Sequence, residues 1–161
     1  LTRNPSGQMP TLELDNGEFI SEITVICDYL DEQHGYTDLI GKTPEDRAET
    51  RMWTRRIDLQ IVEPLTNGFR FSEGHDFFKD RLRLIPQAAD DLKTLAQERI
   101  TWLDGQIEGK EFICGNRFSL ADIMFYCFLN FGTTVGQPLN EDNKNVVNLY
   151  NKIHSRPSAS A

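Results

Sequence analysis

The sequence predicts a mainly α-helical protein that begins with a small α/β portion. One observation is the almost wholly apolar stretch from Ile123 to Leu129, which follows Ser119 and Asp122. A serine and an acidic residue three positions later form a capping-box pattern that starts a helix. A helix that is apolar on every side belongs in the centre of a core. The second observation is the Asn16-Gly17 pair between short apolar runs, which predicts a β-hairpin near the N-terminus.

Composition limits the classes of partner. The 161 residues are 39% hydrophobic and 26% charged, which is ordinary globular usage and enough for one sizeable core. The net charge of −8 argues against a nucleic-acid partner, because affinity for nucleic acid depends mostly on Lys and Arg at the phosphates. The apolar stretches are too short to span a bilayer. We therefore expect neither a nucleic acid nor a membrane as partner.

The cysteines and histidines do not predict a disulfide framework or a metal site. Cys27, Cys114 and Cys127 are odd in number and lie in apolar surroundings, which suits reduced thiols and a cytoplasmic location. The three histidines lie far apart in the sequence, without cysteine or carboxylate at ligand spacing. We expect no metal.

The N-terminal residues predict two short strands and one helix. Residues 9–14 read as a strand, the turn at 15–17 reverses the chain, and 18–20 read as its partner. Ser21 is predicted to cap the helix that follows, and Gly35 to end it. A hairpin and one helix bury too little surface to stand alone, so we expect them to be part of a larger unit.

The remaining chain predicts successive helices. Gly and Pro between residues 34 and 44 indicate a linker, and Thr43 before Pro44 indicates a helix start. Pro64 interrupts this helix, so we expect a kink near residues 60 to 64. A longer helix follows the turn at Gly74-His75, with Pro86 either in its first turn or at a local break. The capped apolar helix and a final amphipathic helix complete the chain.

Four motifs of the sequence are each similar to a segment of one known protein family. They are Asn4 to Pro10 (family Asn-Pro-x-Gly-Lys/Gln-Val-Pro), Glu22 to Leu30 (family Glu-Ser-x-Ala-Ile-x-x-Tyr-Leu), Gly115, Ser119, Ala121 and Asp122 (family Gly-x-x-x-Ser/Thr-x-Ala-Asp), and Arg156-Pro157-Ser158. These motifs occur in the order of the family that they resemble, the glutathione transferases.

The resemblance implies a domain organisation. Residues 1–34 would be the second half, hairpin plus helix, of an α/β thioredoxin-like domain that binds glutathione. Residues 35–43 would be a linker, and 44–161 the family's all-helical C-terminal domain. The family's first strand, first helix and second strand have no counterpart in this sequence, so we expect a fragment of a longer protein. That missing part holds the family's catalytic Tyr, Ser or Cys, and we therefore name no catalytic residue.

The resemblance also implies which residues bind glutathione. Pro10 would be the family's cis-proline, and Met9 would offer its N–H and C=O to the cysteinyl part. Gln8 would lie near the glycyl end, and Glu22 would hold the γ-glutamyl ammonium by a charge-assisted bond. Ile23 departs from the family's Ser/Thr, although its N–H at a helix start can still meet the γ-glutamyl carboxylate. Plainer roles remain open, because Met9 fits a simple strand, Gln8 a solvated loop and Glu22 a favourable first-turn position.

Two functions follow from the resemblance. The first is a glutathione transferase that conjugates glutathione to electrophilic small molecules, or catalyses a related glutathione-dependent reaction. The alternative is a non-catalytic binding module, because a fold does not fix a function. Glutathione is a substrate in the first case. The resemblance further implies a homodimer that pairs through the helix at Glu22 and the helix at Thr43.

Overall fold

The computed structural model describes residues 2–159, which form a small two-stranded sheet and a set of packed helices, so the mainly helical class is confirmed. The elements are β1 (Thr11–Glu13), β2 (Phe19–Ser21), α1 (Ile23–Gln33), α2 (Pro44–Ile57), a π-helical turn (Asp58–Val62), α3 (Glu63–Phe71), α4 (His75–Phe78), α5 (Ala89–Gln106), α6 (Leu120–Thr134) and α7 (Lys144–His154). Short 3₁₀ turns lie at Pro86–Ala88 and Pro157–Ala159.

The hairpin has the predicted turn, but β1 is shorter than predicted and β2 begins and ends one residue later than predicted. The strands are antiparallel with Leu12 opposite Ile20. Gly17 lies at the turn with φ +83°, a backbone conformation that glycine adopts without strain. The prediction that Ser21 caps α1 is wrong, because Ser21 pairs with Thr11 as the last residue of β2. Glu22 takes the capping position instead.

The start and the interruption of the second helix follow the prediction. The Thr43 hydroxyl accepts the Asp46 N–H at 3.1 Å, and the Asp46 carboxylate accepts the Thr43 N–H at 3.3 Å. The interruption is a π-helical turn immediately before Pro64, in which the Glu63 N–H bonds to the Asp58 carbonyl oxygen. The wider π-helical turn accommodates Pro64, which has no backbone N–H to donate.

The helix predicted after Gly74 is divided into two. Helix α4 ends at Phe78, and α5 begins only at Ala89, after the 3₁₀ turn that starts at Pro86. Ile85 has φ −129° and ψ 74°, outside the helical region, as expected for a residue before proline. Pro86 is the first residue of the 3₁₀ turn that leads directly into α5, which is the first-turn position, and the non-helical break lies before it.

Helix α6 lies in the middle of the hydrophobic core, as its sequence predicts. Phe125 is 1% exposed and Leu129 3% exposed. The surrounding buried side chains come from α2, the π-helical turn, α5 and α7: Trp53, Ile57, Ile61, Val62, Ile100, Leu103, Val146, Leu149 and Ile153. One part of the α6 surface is less enclosed, since Cys127 is exposed.

The start of α6 is held by a fully buried carboxylate. Asp122 Oδ2 accepts both the Ser119 N–H and the Ser119 hydroxyl at 2.8 Å, and Oδ1 accepts the Ile113 N–H at 2.8 Å. Burial raises the pKa of Asp122, and the bonds from Ile113 and Ser119 oppose that rise. The predicted capping box is confirmed. The hydrogen bond from the Ile113 N–H also attaches the loop before α6 to this capping box.

Arg117 connects the same loop to α2. Its guanidinium donates to the Thr50 hydroxyl at 2.8 Å, the Asp46 carbonyl oxygen at 3.0 Å and the Asp38 carbonyl oxygen at 2.9 Å. Hydrogen bonds from a charged donor are stronger than neutral ones. Arg117 therefore fixes the segment between α1 and α2, and α2 itself, relative to the start of α6.

We expect Asp122→Ala to lower the free energy of unfolding by about 3 kcal/mol, because two buried N–H groups lose their acceptor at about 1 to 3 kcal/mol each. Asp46→Ala is the matched control, since it removes the same type of capping carboxylate from an exposed helix start, and its loss should be clearly smaller. Urea denaturation followed by circular dichroism measures both. Equal losses would contradict the role given to the buried bonds.

Candidate functional site

One of the open clefts of the structure, of about 530 Å³, lies between the N-terminal segment and the helices. All five residues predicted to bind glutathione line it: Gln8, Met9, Pro10, Glu22 and Ile23. The structure thus brings together residues that come from the loop before β1 and from the start of α1. Opposite them lie residues of α2, the π-helical turn, α3 and α6.

The loop before β1 is braced by Asn4, a lining residue that is 8% exposed. Its Nδ2 donates to the Gln8 carbonyl oxygen at 2.7 Å, and its Oδ1 accepts the Ser6 N–H at 3.1 Å. The Met9-Pro10 peptide bond is cis. Within residues 2–159 the main chain of Met9 has no hydrogen-bond partner, and its side chain is 94% exposed. The Met9 N–H and C=O are therefore available to a ligand.

Glu22 adopts an unusual backbone conformation. It has φ +72° and ψ +113° at the position that caps α1, and its carbonyl oxygen accepts the Ile26 N–H at 2.9 Å. A residue other than glycine in a sparsely populated region costs on the order of 1 to 3 kcal/mol, and such residues cluster at ligand sites. The Glu22 side chain is exposed and has no ion-pair partner in the described part of the chain. The carboxylate is consequently free to meet a cation.

The start of α1 adds uncompensated N–H groups. The first residues of a helix have N–H groups without a partner inside the helix, and no side chain caps this end of α1. Ile23 is the first residue of α1 and is 50% exposed. This end of α1 can therefore receive an anionic group beside the Glu22 carboxylate, which suits a ligand that carries both charges, such as an amino acid terminus.

The opposite wall is mixed in character. Arg55 and Asp58 form an ion pair at 3.3 Å, and Arg70 Nη1 donates to Asn67 Oδ1 at 3.0 Å. Apolar surface comes from three residues: Leu59, Val62 and Phe128. Sequence reasoning missed this wall, because its members lie on both sides of the π-helical turn, where regular helical spacing fails.

The thiols of the chain are poor nucleophiles. Desolvation by neighbouring side chains raises the pKa of Cys27, of Cys114 and of Cys127, which favours the protonated thiol at neutral pH. The Ser119 hydroxyl opposes the rise at Cys114. The thiolate is the reactive form, so this environment does not activate them. The prediction that Cys27 serves packing stays a prediction.

Neither a membrane span nor a metal cluster occurs in the part of the chain that the structure describes. No helix within residues 2–159 is both long and apolar enough to cross a membrane. Across the same residues, no group of three or more His, Cys, Asp or Glu side chains is arranged to hold a metal ion.

Family comparisons identify the class. The glutathione S-transferase N-terminal domain matches residues 1–33, and the glutathione S-transferase C-terminal domain matches residues 82–157. Together the two matches include more than half of the chain. With the thioredoxin-like hairpin and helix, the capped central helix and the cleft between them, the chain belongs to the glutathione S-transferase family.

Particular relatives agree with this assignment. Glutathione S-transferase 2 of Saccharomyces cerevisiae is 28% identical over 158 residues, which are 98% of this chain and 68% of that protein. FtsZ-localized protein A of Caulobacter vibrioides is 28% identical over 163 residues, with 96% of this chain and 69% of that protein covered. The crystal structure of Gtt2 from Saccharomyces cerevisiae superposes with a TM-score of 0.91 at 27% identity, covering 99% of this chain and 76% of that one.

We expect Glu22→Gly to raise the free energy of unfolding by about 1 kcal/mol, because glycine adopts a positive φ without the strain that Glu22 bears. Glu22→Ala is the control, since it removes the same carboxylate but keeps the Cβ, and it should leave stability nearly unchanged. Thermal and urea unfolding of the three proteins measure the difference. A destabilised Glu22→Gly variant would show that the Glu22 backbone is not strained.

Proposed function

We propose that the protein is a glutathione transferase that binds glutathione in the cleft and conjugates it to electrophilic small molecules. The observation that carries the proposal is that one cleft contains both the Met9 main chain and the strained Glu22, neither of which has a hydrogen-bond or ion-pair partner within residues 2–159 for the groups concerned. Family membership supports a transferase function in general. The particular reaction is part of the proposal.

Each portion of glutathione has a chemically suitable counterpart in the cleft. The γ-glutamyl ammonium binds the Glu22 carboxylate, and the neighbouring carboxylate binds the N–H groups at Ile23 and the start of α1. The cysteinyl main chain pairs with the N–H and C=O of Met9, beside Pro10. The Gln8 side chain lies toward the glycyl end. Two opposite charges and two main-chain bonds together fix the direction of the peptide.

The thiol then faces the second wall of the cleft. The glutathione thiolate attacks the electrophilic carbon, so that a carbon–sulfur bond forms as the leaving group departs. The thiol proton passes to solvent. Enzymes of this kind need a donor that lowers the thiol pKa. None of the three cysteines is suited to that task, and we assign it to no residue of this chain.

A non-catalytic binding module is the second candidate. It is favoured by one relative of similar coverage, FtsZ-localized protein A, whose name describes a location and not a reaction. The two candidates differ in turnover. A module that binds glutathione without conjugating 1-chloro-2,4-dinitrobenzene would support the second candidate, and conjugation would support the first.

Domain boundaries, location and assembly complete the proposal. We place a glutathione-binding domain at residues 1–34, a linker at 35–43 and the helical domain at 44–161.

A cytoplasmic location is supported by three cysteines that form no disulfide. A homodimer that pairs through α1 and α2 is supported by exposed apolar side chains there, since Val25 is 52% and Met52 41% exposed.

We expect Glu22→Ala to weaken glutathione binding by about 1.5 to 3 kcal/mol, the usual size for a hydrogen bond to a charged group. Calorimetric titration of the full-length protein measures the change. Glu13→Ala is a matched control, because Glu13 lies on β1 outside the cleft. If Glu22→Ala binds glutathione as tightly as the parent does, the assignment of this carboxylate fails.

We expect Ile23→Ser to strengthen glutathione binding by about 1 kcal/mol, because a hydroxyl at the start of α1 offers the γ-glutamyl carboxylate a further donor. Ile23→Ala separates the gain of the hydroxyl from the loss of the apolar side chain. The same titration measures both variants. Equal affinities for Ile23→Ser and Ile23→Ala would refute the hydroxyl contact.

We expect a homodimer in solution, and Met52→Asp should shift it toward monomer, because a charge on the apolar part of α2 opposes burial. Sedimentation velocity at micromolar concentration measures both states. Phe77→Asp is the control, since Phe77 is 64% exposed on α4, outside the expected interface. A parent protein that sediments only as a monomer would contradict the expected assembly.

A further inference from the structure

The cleft wall opposite the glutathione residues carries two arginines, Arg55 and Arg70, which differ in their partners. Arg55 has a partner in Asp58 at 3.3 Å. Arg70 is a half-buried cation of the same cleft, and in the described part of the chain no carboxylate lies within ion-pair distance of it. The planar donor fork of a guanidinium group matches a carboxylate and can bind it with two parallel hydrogen bonds. Arg70 has no such carboxylate partner within residues 2–159.

The position of Arg70 on α3 explains why no acid of the cleft neutralises it. Glu63 begins the cleft-facing side of α3 and Arg70 ends it, so they are two helical turns, about 10 Å, apart along the axis. Asn67 lies between them on the same side. The Glu63 carboxylate and the Arg70 guanidinium therefore lie at opposite ends of α3.

The guanidinium is held in place while most of its donors remain unused. Nη1 donates to Asn67 Oδ1 at 3.0 Å, and the group lies over the Phe78 ring at 5.8 Å from its centroid. These contacts occupy one N–H and one face. The other N–H groups and the Asn67 amide N–H groups have no acceptor in residues 2–159. A preorganised set of donors loses little entropy when it binds an anion.

Apolar surface lies in the same cleft as these donors. Leu59 and Val62 come from the π-helical turn, and Phe128 comes from α6. A ligand that fills this wall thus meets apolar side chains and one cation. That combination suits a molecule with a hydrocarbon or aromatic body and one negatively charged group.

We propose that the second substrate of this cleft is an electrophile that carries a carboxylate or similar anionic group, which binds Arg70 while its apolar body lies against Leu59, Val62 and Phe128. The inference rests on the proposed glutathione transferase function and adds the substrate class. Glutathione itself also has carboxylates, so the experiment must separate the two sources of anion.

Three related ligands make that separation by calorimetric titration of the full-length protein: glutathione, S-benzylglutathione and S-(4-carboxybenzyl)glutathione. The two conjugates differ only in the added carboxylate. We expect the parent to bind the carboxybenzyl conjugate more tightly than the benzyl one. Arg70→Met should weaken the carboxybenzyl conjugate about tenfold and change the other two ligands less than about twofold.

Two further variants serve as controls. Arg99→Met removes an exposed arginine of α5, outside the cleft, and should change none of the three affinities. Arg70→Lys keeps the positive charge but not the planar fork, and should give an intermediate loss for the carboxybenzyl conjugate alone. It also keeps the experiment informative if Arg70→Met folds poorly.

The possible outcomes separate this inference from the function on which it rests. If Arg70→Met weakens all three ligands equally, Arg70 binds glutathione itself and the inference is overturned. If it weakens none, Arg70 only stabilises the last turn of α3, and the inference is again overturned while glutathione binding stands. If the parent binds neither glutathione nor its conjugates, the proposed function fails and the inference with it.

Discussion

The arrangement of the helices depends on the buried carboxylate of Asp122. With no exposed surface of its own, it gathers the N–H groups of Ser119 and Ile113 at the start of α6. An acceptor lost from such a place leaves N–H groups that neither water nor protein can satisfy. The loop before α6 is thereby fixed, and Arg117 in that loop carries the constraint to Thr50 on α2. These hydrogen bonds fix the position of α2 relative to α6, and both helices contribute residues to the cleft.

The cleft combines a well-packed wall with a strained one. The helical side continues directly into the core, since Val62 is 6% exposed and Leu65, on α3, is 0% exposed. The N-terminal side consists of a loop braced by Asn4 and a helix whose capping residue, Glu22, has a positive φ. Backbone strain at a ligand site persists because the surrounding structure holds the residue in place, and the strained conformation commonly serves ligand binding. Stability and ligand binding therefore make opposite demands at Glu22.

Much of the fold was predictable from local chemistry, whereas half of the cleft was not. The sequence predicted the helix starts at Thr43 and Ser119, the Asn-Gly turn and the apolar run of α6, because each depends on a few neighbouring residues. The predicted cap at Ser21 failed, because pairing with Thr11 places Ser21 in β2. The Glu22 conformation could not be predicted in this way, because Glu22 is the one residue between the end of β2 and the start of α1. Asn67 and Arg70 lie on α3 after the π-helical turn, and one such turn changes the helical register of every residue that follows it. Such a shift depends on tertiary packing as well as on Pro64, and no periodic pattern reports it.

A crystal structure of the full-length protein with glutathione tests the central claim most directly. The account predicts the γ-glutamyl ammonium about 3 Å from the Glu22 carboxylate and the cysteinyl main chain paired with the N–H and C=O of Met9, with the sulfur directed toward α3. Glutathione bound elsewhere, or bound in this cleft with its γ-glutamyl end away from Glu22, would contradict it.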